Sequence, residues 1–163
     1  MPPPKPSETA AAEINKVLLV NEKKWTKPLM AGGWTAFPSV ILENQAALKL
    51  SAVDVNILLY LSTHWWTADN KPRPSKTTIG KAIGLNARSV QRHISAMESK
   101  GLIRREERRL SGVGSKPNHY HFDGLIKAAT PYAESKAEEI KEKIAKKARK
   151  ASTGKPGLRL VKK

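Results

Sequence analysis

Cysteine is absent from all 163 residues. That excludes a disulfide framework and a thiolate metal site, and it is compatible with a reducing compartment. Acidic residues are scarce: 14 Asp and Glu stand against 30 Lys and Arg, for a formal net charge of +16. Such a balance suits a polyanion, either nucleic acid or an acidic membrane surface, without choosing between them. No apolar run is long enough to cross a bilayer. The opening MPPPKP has proline where a secretion signal has its apolar core, so export is not expected. No set of nucleophile, base and orienting acid stands out, and catalysis is not expected. Gly112-Val113-Gly114 is too short for a nucleotide-phosphate loop and lacks the flanking strand and helix. There are four histidines, His64, His93, His119 and His121. His119 and His121 share one side of an expected strand, but Asp123 is the only nearby third ligand. No metal and no cofactor are expected.

What is present centres on Pro74 to Gly101, PSKTTIGKAIGLNARSVQRHISAMESKG. It reads as two short helices joined by a tight turn. Ser75 can cap the first by accepting an orphan N–H of the opening turn. Ile79, Ala82 and Ile83 then recur at helical spacing. Gly84 can take the left-handed conformation that ends a helix, and Leu85 can plug the turn. Asn86 can cap the second helix, whose inner stripe is Val90, Ile94 and Met97. Gly101 stops it. The outer face of that helix carries Arg88, Ser89, Gln91, Arg92 and Ser95. Arginine can donate two hydrogen bonds to guanine and glutamine can pair bidentately with adenine in the major groove. A recognition helix presents its N-terminal residues in this way. The plainer alternative is a helical hairpin with a solvated charged face.

Ser75-Lys76-Thr77-Thr78-Ile79, Ile83-Gly84-Leu85, Ser89-Val90-Gln91-Arg92 and Gly101-Leu102-Ile103-Arg104-Arg105 resemble, in order and spacing, the winged helix-turn-helix family. That family includes bacterial, plasmid and phage regulators and replication proteins. The likeness runs from about Trp34 to Phe122. It implies three helices and a β-hairpin wing that binds DNA. The expected fold class is therefore mainly α with a small β-hairpin, a winged helix-turn-helix domain with flanking N- and C-terminal helices.

The expected organisation is residues 1–33 as a Pro-rich lead, short helix and linker; 34–123 as the winged domain; 124–150 as a charged helix; and 151–163 as a basic, disordered tail. In the first segment, Ser7 to Lys23 turns helical, with Ile14, Val17 and Leu18 on one side. Trp25 to Trp34 is a linker by composition, and its two tryptophans argue that it packs. Pro38 fits the first turn of a short helix carrying Val40, Ile41 and Leu42. Ser51-Ala-Val-Asp54 is close to a capping box. It opens a core helix with Val53, Ile57, Leu58 and Leu61 inward. Trp65 and Trp66 can stack on bases, although core or interface filler is the commoner role.

Leu102 to Leu110 and Asn118 to Asp123 read as strand and strand around a glycine turn. Tyr120 and Phe122 form the greasy face, joined by Leu102 and, less clearly, Ile103. Glu106 and Glu107 depart from a uniformly basic wing and can pair with neighbouring arginines or repel phosphate. Gly124 to Thr130 can begin a helix, and Pro131 opens a charged one. Its thin seam of Ala133, Ala137, Ile140, Ile144 and Ala148 is too short and alanine-rich for a clear coiled coil.

Charge is divided unevenly. Lys71 to Lys116 holds twelve basic residues against three acidic ones, and Lys141 to Lys163 holds ten against one. The expected base contacts are Asn86, Arg88, Ser89, Gln91 and Arg92. The expected backbone contacts are Ser75, Lys76, Thr77, Lys81, Ser95, Arg105, Arg108, Arg109 and Lys116. Lys76 and Thr77 would be aided by the helix dipole. The leading expectation is a sequence-specific regulator of transcription that binds double-stranded DNA. A homodimer is expected because one module reads few base pairs, joined by the N-terminal helix or the C-terminal seam. Rival readings are a plasmid or phage replication or partition protein bound to origin repeats, with replication or transcription machinery as a further partner, and a non-specific architectural or RNA-binding protein. A cytoplasmic, nucleoid-associated location and no membrane partner go with all of these.

Overall fold

The computed structural model describes residues 8–110 and 114–153, with side chains over 16–107 and 117–149. The lead Met1–Pro6, the tip residues Gly112 and Val113, and the tail from Gly154 lie outside the described residues, as do the side chains of Arg108, Arg109 and Lys116. The chain separates into two compact units, divided after Phe37.

The first unit holds α1 (Glu8–Trp25) and α2 (Lys27–Ala31). The linker expectation is corrected here: α1 runs through Trp25, and a second short helix follows. Pro28 falls in the first turn of α2, where its missing N–H costs nothing. The tryptophans do not pack as expected. Trp25 is 62% exposed and Trp34 51%. Val17, Leu19 and Val20 of α1 are exposed as well.

The second unit is built on α3 (Ser39–Glu43), α4 (Ala52–Ser62), α5 (Lys76–Ile83) and α6 (Ala87–Ser99). Local chemistry sets their ends. The Ser51 hydroxyl accepts from the Asp54 N–H (3.2 Å) while Asp54 Oδ2 accepts from the Ser51 N–H (2.8 Å), a reciprocal capping box. Ser75 accepts from the Thr78 N–H (3.0 Å) and caps α5. Gly84, at φ 74°, ends that helix in the left-handed region, and the Leu85 N–H then reaches the Gly80 carbonyl oxygen (2.8 Å). At the end of α6 the Gly101 N–H donates to the Glu98 carbonyl (2.8 Å) and the Leu102 N–H to that of Met97 (3.0 Å). This is the double bond of a Schellman motif, with Met97 and Leu102 both buried beneath it.

Ile57, Leu58, Leu61, Ile79, Val90, Ile94 and Met97 are fully buried, and they join α4, α5 and α6 into one core. Two expectations need correction. Val55, not Val53, is the buried valine of α4. Of the α5 stripe only Ile79 is buried; Ala82 is exposed and Ile83 intermediate. α5 packs against both α4 and α6, and of its three apolar positions Ile79 alone lies wholly within their shared core.

Asp54 is also the only buried charged side chain among the described residues, at 2% exposure. Its Oδ1 lies 2.8 Å from His93 Nδ1 and ties α4 to α6. Burial pushes the Asp54 carboxyl up, but the Ser51 bonds and His93 outweigh it, and the group titrates below its ordinary value.

β1 (Arg104–Leu110) and β2 (Gly114–His121) form an antiparallel hairpin. Arg104 pairs with His121 and Glu106 with His119, but Arg108 pairs with Lys116, so the register slips by one residue between them. Pro117 and Asn118 both stand opposite Glu107. A bulge is where a strand tolerates proline, which has no N–H for the ladder. Tyr120, Phe122, Leu102 and Ile103 are buried as expected. The Tyr120 N–H donates to the Pro72 carbonyl oxygen (2.9 Å) and anchors the wing to the loop before α5. Trp65 stacks on Phe122 with ring centroids 5.0 Å apart, as filler, whereas Trp66 is 74% exposed. The Glu106 carboxylate meets His121 Nε2 at 2.8 Å, the diagonal neighbour across the hairpin.

α7 (Asp123–Thr153) is one helix of 31 residues with Pro131 inside it, where two segments were expected. Its first turns are anchored. Leu125 and Ala129 are buried, the Leu125 N–H donates to the Leu102 carbonyl oxygen (2.7 Å), and Lys136 pairs with Glu43 of α3. Anchorage on both sides of Pro131 offsets the lost helical bond. Ile140 and Ile144 are exposed.

Two expected outcomes follow from these contacts. A Cβ on Gly124 would run into the Gly101 carbonyl oxygen. Gly124→Ala therefore destabilises the fold by about 1–3 kcal/mol, the usual cost of overpacking, measured by urea unfolding. For Asp54 the folded state binds fewer protons than the unfolded one, so its contribution is complete above about pH 4 and is lost as pH falls below that. Asp54→Asn is destabilised at pH 7 and shows a shallower loss of stability below pH 4 than the wild type.

Candidate nucleic-acid interface

The burial of Val90, Ile94 and Met97 on one side of α6 turns the opposite side outward. At 100° per residue, Arg88, Gln91, Arg92 and Ser95 share that outer side. Arg88 and Arg92 are exposed, and Gln91 and Ser95 half-buried. Asn86, Arg88, Ser89, Gln91 and Arg92, the five expected base contacts, together line one shallow depression of about 380 Å³ at the start of α6. Asn86 is partly committed: its Oδ1 accepts from the Ser89 N–H (2.8 Å) as the helix cap.

A second, larger groove of about 540 Å³ lies beside it, between the start of α5 and the wing. Ser75, Lys76, Gln91, Arg105, Glu107, Asn118 and Tyr120 are among its walls. The sequence-predicted backbone contacts divide here. Lys76, Thr77 and Lys81 are exposed on α5. Ser75 serves as its cap. Arg108, Arg109 and Lys116 are placed by backbone pairing alone, Arg108 opposite Lys116 beyond the bulge.

Ser95 and Arg105 are engaged with protein. The Arg105 Nε donates to Glu98 Oε2 (2.7 Å), its backbone N–H donates to Glu98 Oε1 (2.9 Å), and a terminal guanidinium nitrogen approaches Ser95 Oγ at 3.4 Å. Burial pushes the Glu98 carboxyl up, and the bonds from Arg105 more than reverse this. The Glu98 carboxylate in turn raises the Arg105 pKa. Arg105 thus fastens β1 to α6. Sequence reasoning placed it on phosphate because nothing in the residues marks a pairing that spans a helix end and a turn.

Gln91 is held from both ends. Lys76 Nζ donates to Gln91 Oε1 (2.7 Å), and Gln91 Nε2 donates to Ser95 Oγ (2.9 Å). Glu107 and Asn118, which border the groove, were not among the expected site residues. A bulge is not legible in a single strand, and it is the bulge that brings them there. Among the described residues no group of three or more His, Cys, Asp or Glu is assembled to hold a metal ion, and His121 is engaged by Glu106 rather than by His119. No helix is long and apolar enough to cross a membrane among the described residues.

Residues 48–103 match the model of a helix-turn-helix domain family. No curated protein matches the chain. Among solved structures it is similar to the N-terminal domain of the DnaD protein from Geobacillus kaustophilus HTA426, at 16% identity over 69% of this chain and 91% of that one, with a TM-score of 0.49. It is also similar to a possible transcriptional regulator from Methanosarcina mazei Go1, at 18% identity over 66% of this chain and 85% of that one, with a TM-score of 0.42. The matched residues span α4, α5 and α6, and the β1–β2 hairpin follows directly. Residues 48–103 are thus similar to a helix-turn-helix domain, and the two-stranded antiparallel hairpin that follows them has the place of a wing.

Proposed function

We propose that this protein binds double-stranded DNA with sequence preference and regulates transcription, with α6 in the major groove and the β1–β2 hairpin on the adjacent backbone. The observation that carries this reading is the division of α6. One side is sealed in the core, and the other shows Arg88, Gln91 and Arg92 together in one open depression. A helix fits the major groove, and these side chains carry the donors and acceptors that base edges there require.

Exposed Lys76, Thr77 and Lys81 flank this face on α5, where they neutralise phosphates and release counterions. Arg108, Arg109 and Lys116 supply the same chemistry on the hairpin. The Glu98–Arg105 pair sets the angle of the hairpin to α6. A homodimer on repeated half-sites suits a module that reads few base pairs. The exposed apolar residues Val17, Leu19 and Val20 on α1, or Ile140 and Ile144 on α7, offer surfaces for it. The same geometry serves a protein that marks a replication origin. Genome-wide occupancy separates the roles: promoters for a regulator, clustered repeats for an origin protein.

The decisive experiment is titration of the full chain against selected and random duplexes at two salt concentrations. The expected result is tighter binding to the selected duplex at both. Equal binding to every duplex would overturn sequence preference and leave charge alone. Arg92→Ala is expected to cost about 1–3 kcal/mol on the selected duplex and little on random DNA, whereas Lys81→Ala weakens both alike and lowers the salt slope by about 1.

A further inference from the structure

Gln91 sits in a continuous hydrogen-bonded line that runs from the start of α5 to the base of the wing. Lys76 donates to Gln91, Gln91 donates to Ser95, and Arg105 donates to Ser95 and to Glu98. The chemistry of the end members fixes the direction of every bond. An ammonium has donors only, so the atom it touches on Gln91 must be the carbonyl oxygen, and the amide nitrogen must face Ser95. A flipped amide would set its NH2 against the Lys76 ammonium. A guanidinium also only donates, so the Ser95 oxygen accepts from both sides.

This line leaves Gln91 with one free N–H and one free lone pair on the carbonyl oxygen. Adenine offers an acceptor at N7 and a donor at N6 on its major-groove edge, and needs just that complement. Guanine presents two acceptors there, and cannot use the lone pair. We propose that Gln91 is the specificity-determining residue for one A·T base pair, and that Ser95 is a positioning residue that holds its amide in the adenine-reading orientation. Arg105, itself held by Glu98, keeps Ser95 oriented as an acceptor and so couples the wing to the reading side chain. The inference rests on the proposed DNA binding and assigns the ligand of one side chain within it.

The test is selection of duplexes from a random pool by the full-length wild type and by Gln91→Ala, Ser95→Ala and Ser95→Thr. The expected result is one A·T position at which Gln91→Ala lowers the preference on the order of tenfold. Ser95→Ala relaxes the same position severalfold, and Ser95→Thr, which keeps the accepting oxygen, restores it. The salt slope stays at the wild-type value in all three, because no phosphate contact is lost. Wild-type preference at that position in Ser95→Ala would overturn the positioning role. A Gln91→Ala variant that relaxes no A·T position would overturn the specificity role. A wild type that selects no sequence would overturn the DNA reading, and this inference with it. In the free protein, the two Gln91 side-chain NH2 protons are expected to resonate away from the positions of a solvated carboxamide and to be protected from exchange with water, and in Ser95→Ala to shift toward those positions and lose that protection. Solvent-like resonances in the wild type would sink the proposal even if a variant failed to fold.

Discussion

Three side chains of α6 have no exposed surface: Val90, Ile94 and Met97. Everything else about the site depends on that. A helix with one sealed face can rotate about its axis only by exposing those groups to water, at a cost of about 1.5–3 kcal/mol for each apolar side chain. The burial therefore fixes which residues look outward, and does so without any contact on the outer face. It lets Arg88 and Arg92 remain solvated and unconstrained while their Cα positions are held by the core. Ile57, Leu58 and Leu61 of α4 and Ile79 of α5 supply the surface that receives them.

Electrostatics refines what packing sets. The acids in the basic half of the chain are few. Glu98 is bound to Arg105 and Glu106 to His121, and each is held below its ordinary range, Glu106 chiefly by the His121 hydrogen bond. Glu98 spans the junction between helix and hairpin through both the backbone and the side chain of Arg105. The acids of this region thus act as fasteners within a positive surface. Asp54 plays a related part beneath it, since one carboxylate both caps α4 and receives His93 of α6.

Much of this was readable from residues because it is local. Caps and stops depend on residues within one turn of each other, so Ser51 with Asp54, Ser75, Gly84, Asn86 and Gly101 could be named from their order alone. The inner stripe of α6 is likewise a property of spacing. The misreadings have a common cause. Val53 and Val55 are equally apolar, and only the placement of neighbouring helices decides which is covered. Pro131 normally ends a helix, but here Leu125, Ala129 and the Lys136–Glu43 pair hold the helix together around it. Trp25 and Trp34 look like packing residues by type, yet both are exposed.

By itself the sequence determined the caps and stops of α4, α5 and α6, the outward set on α6 and the concentration of positive charge, because these follow from short-range bonding, periodicity and residue counts. Only the tertiary structure decided that Lys76, Gln91, Ser95, Arg105 and Glu98 form one hydrogen-bonded line, and that Arg105 faces a carboxylate. Those partners come from α5, α6 and β1, and their meeting depends on crossing angles, strand register and a bulge. Such quantities arise from many weak contacts acting together, and no local pattern of residues encodes them.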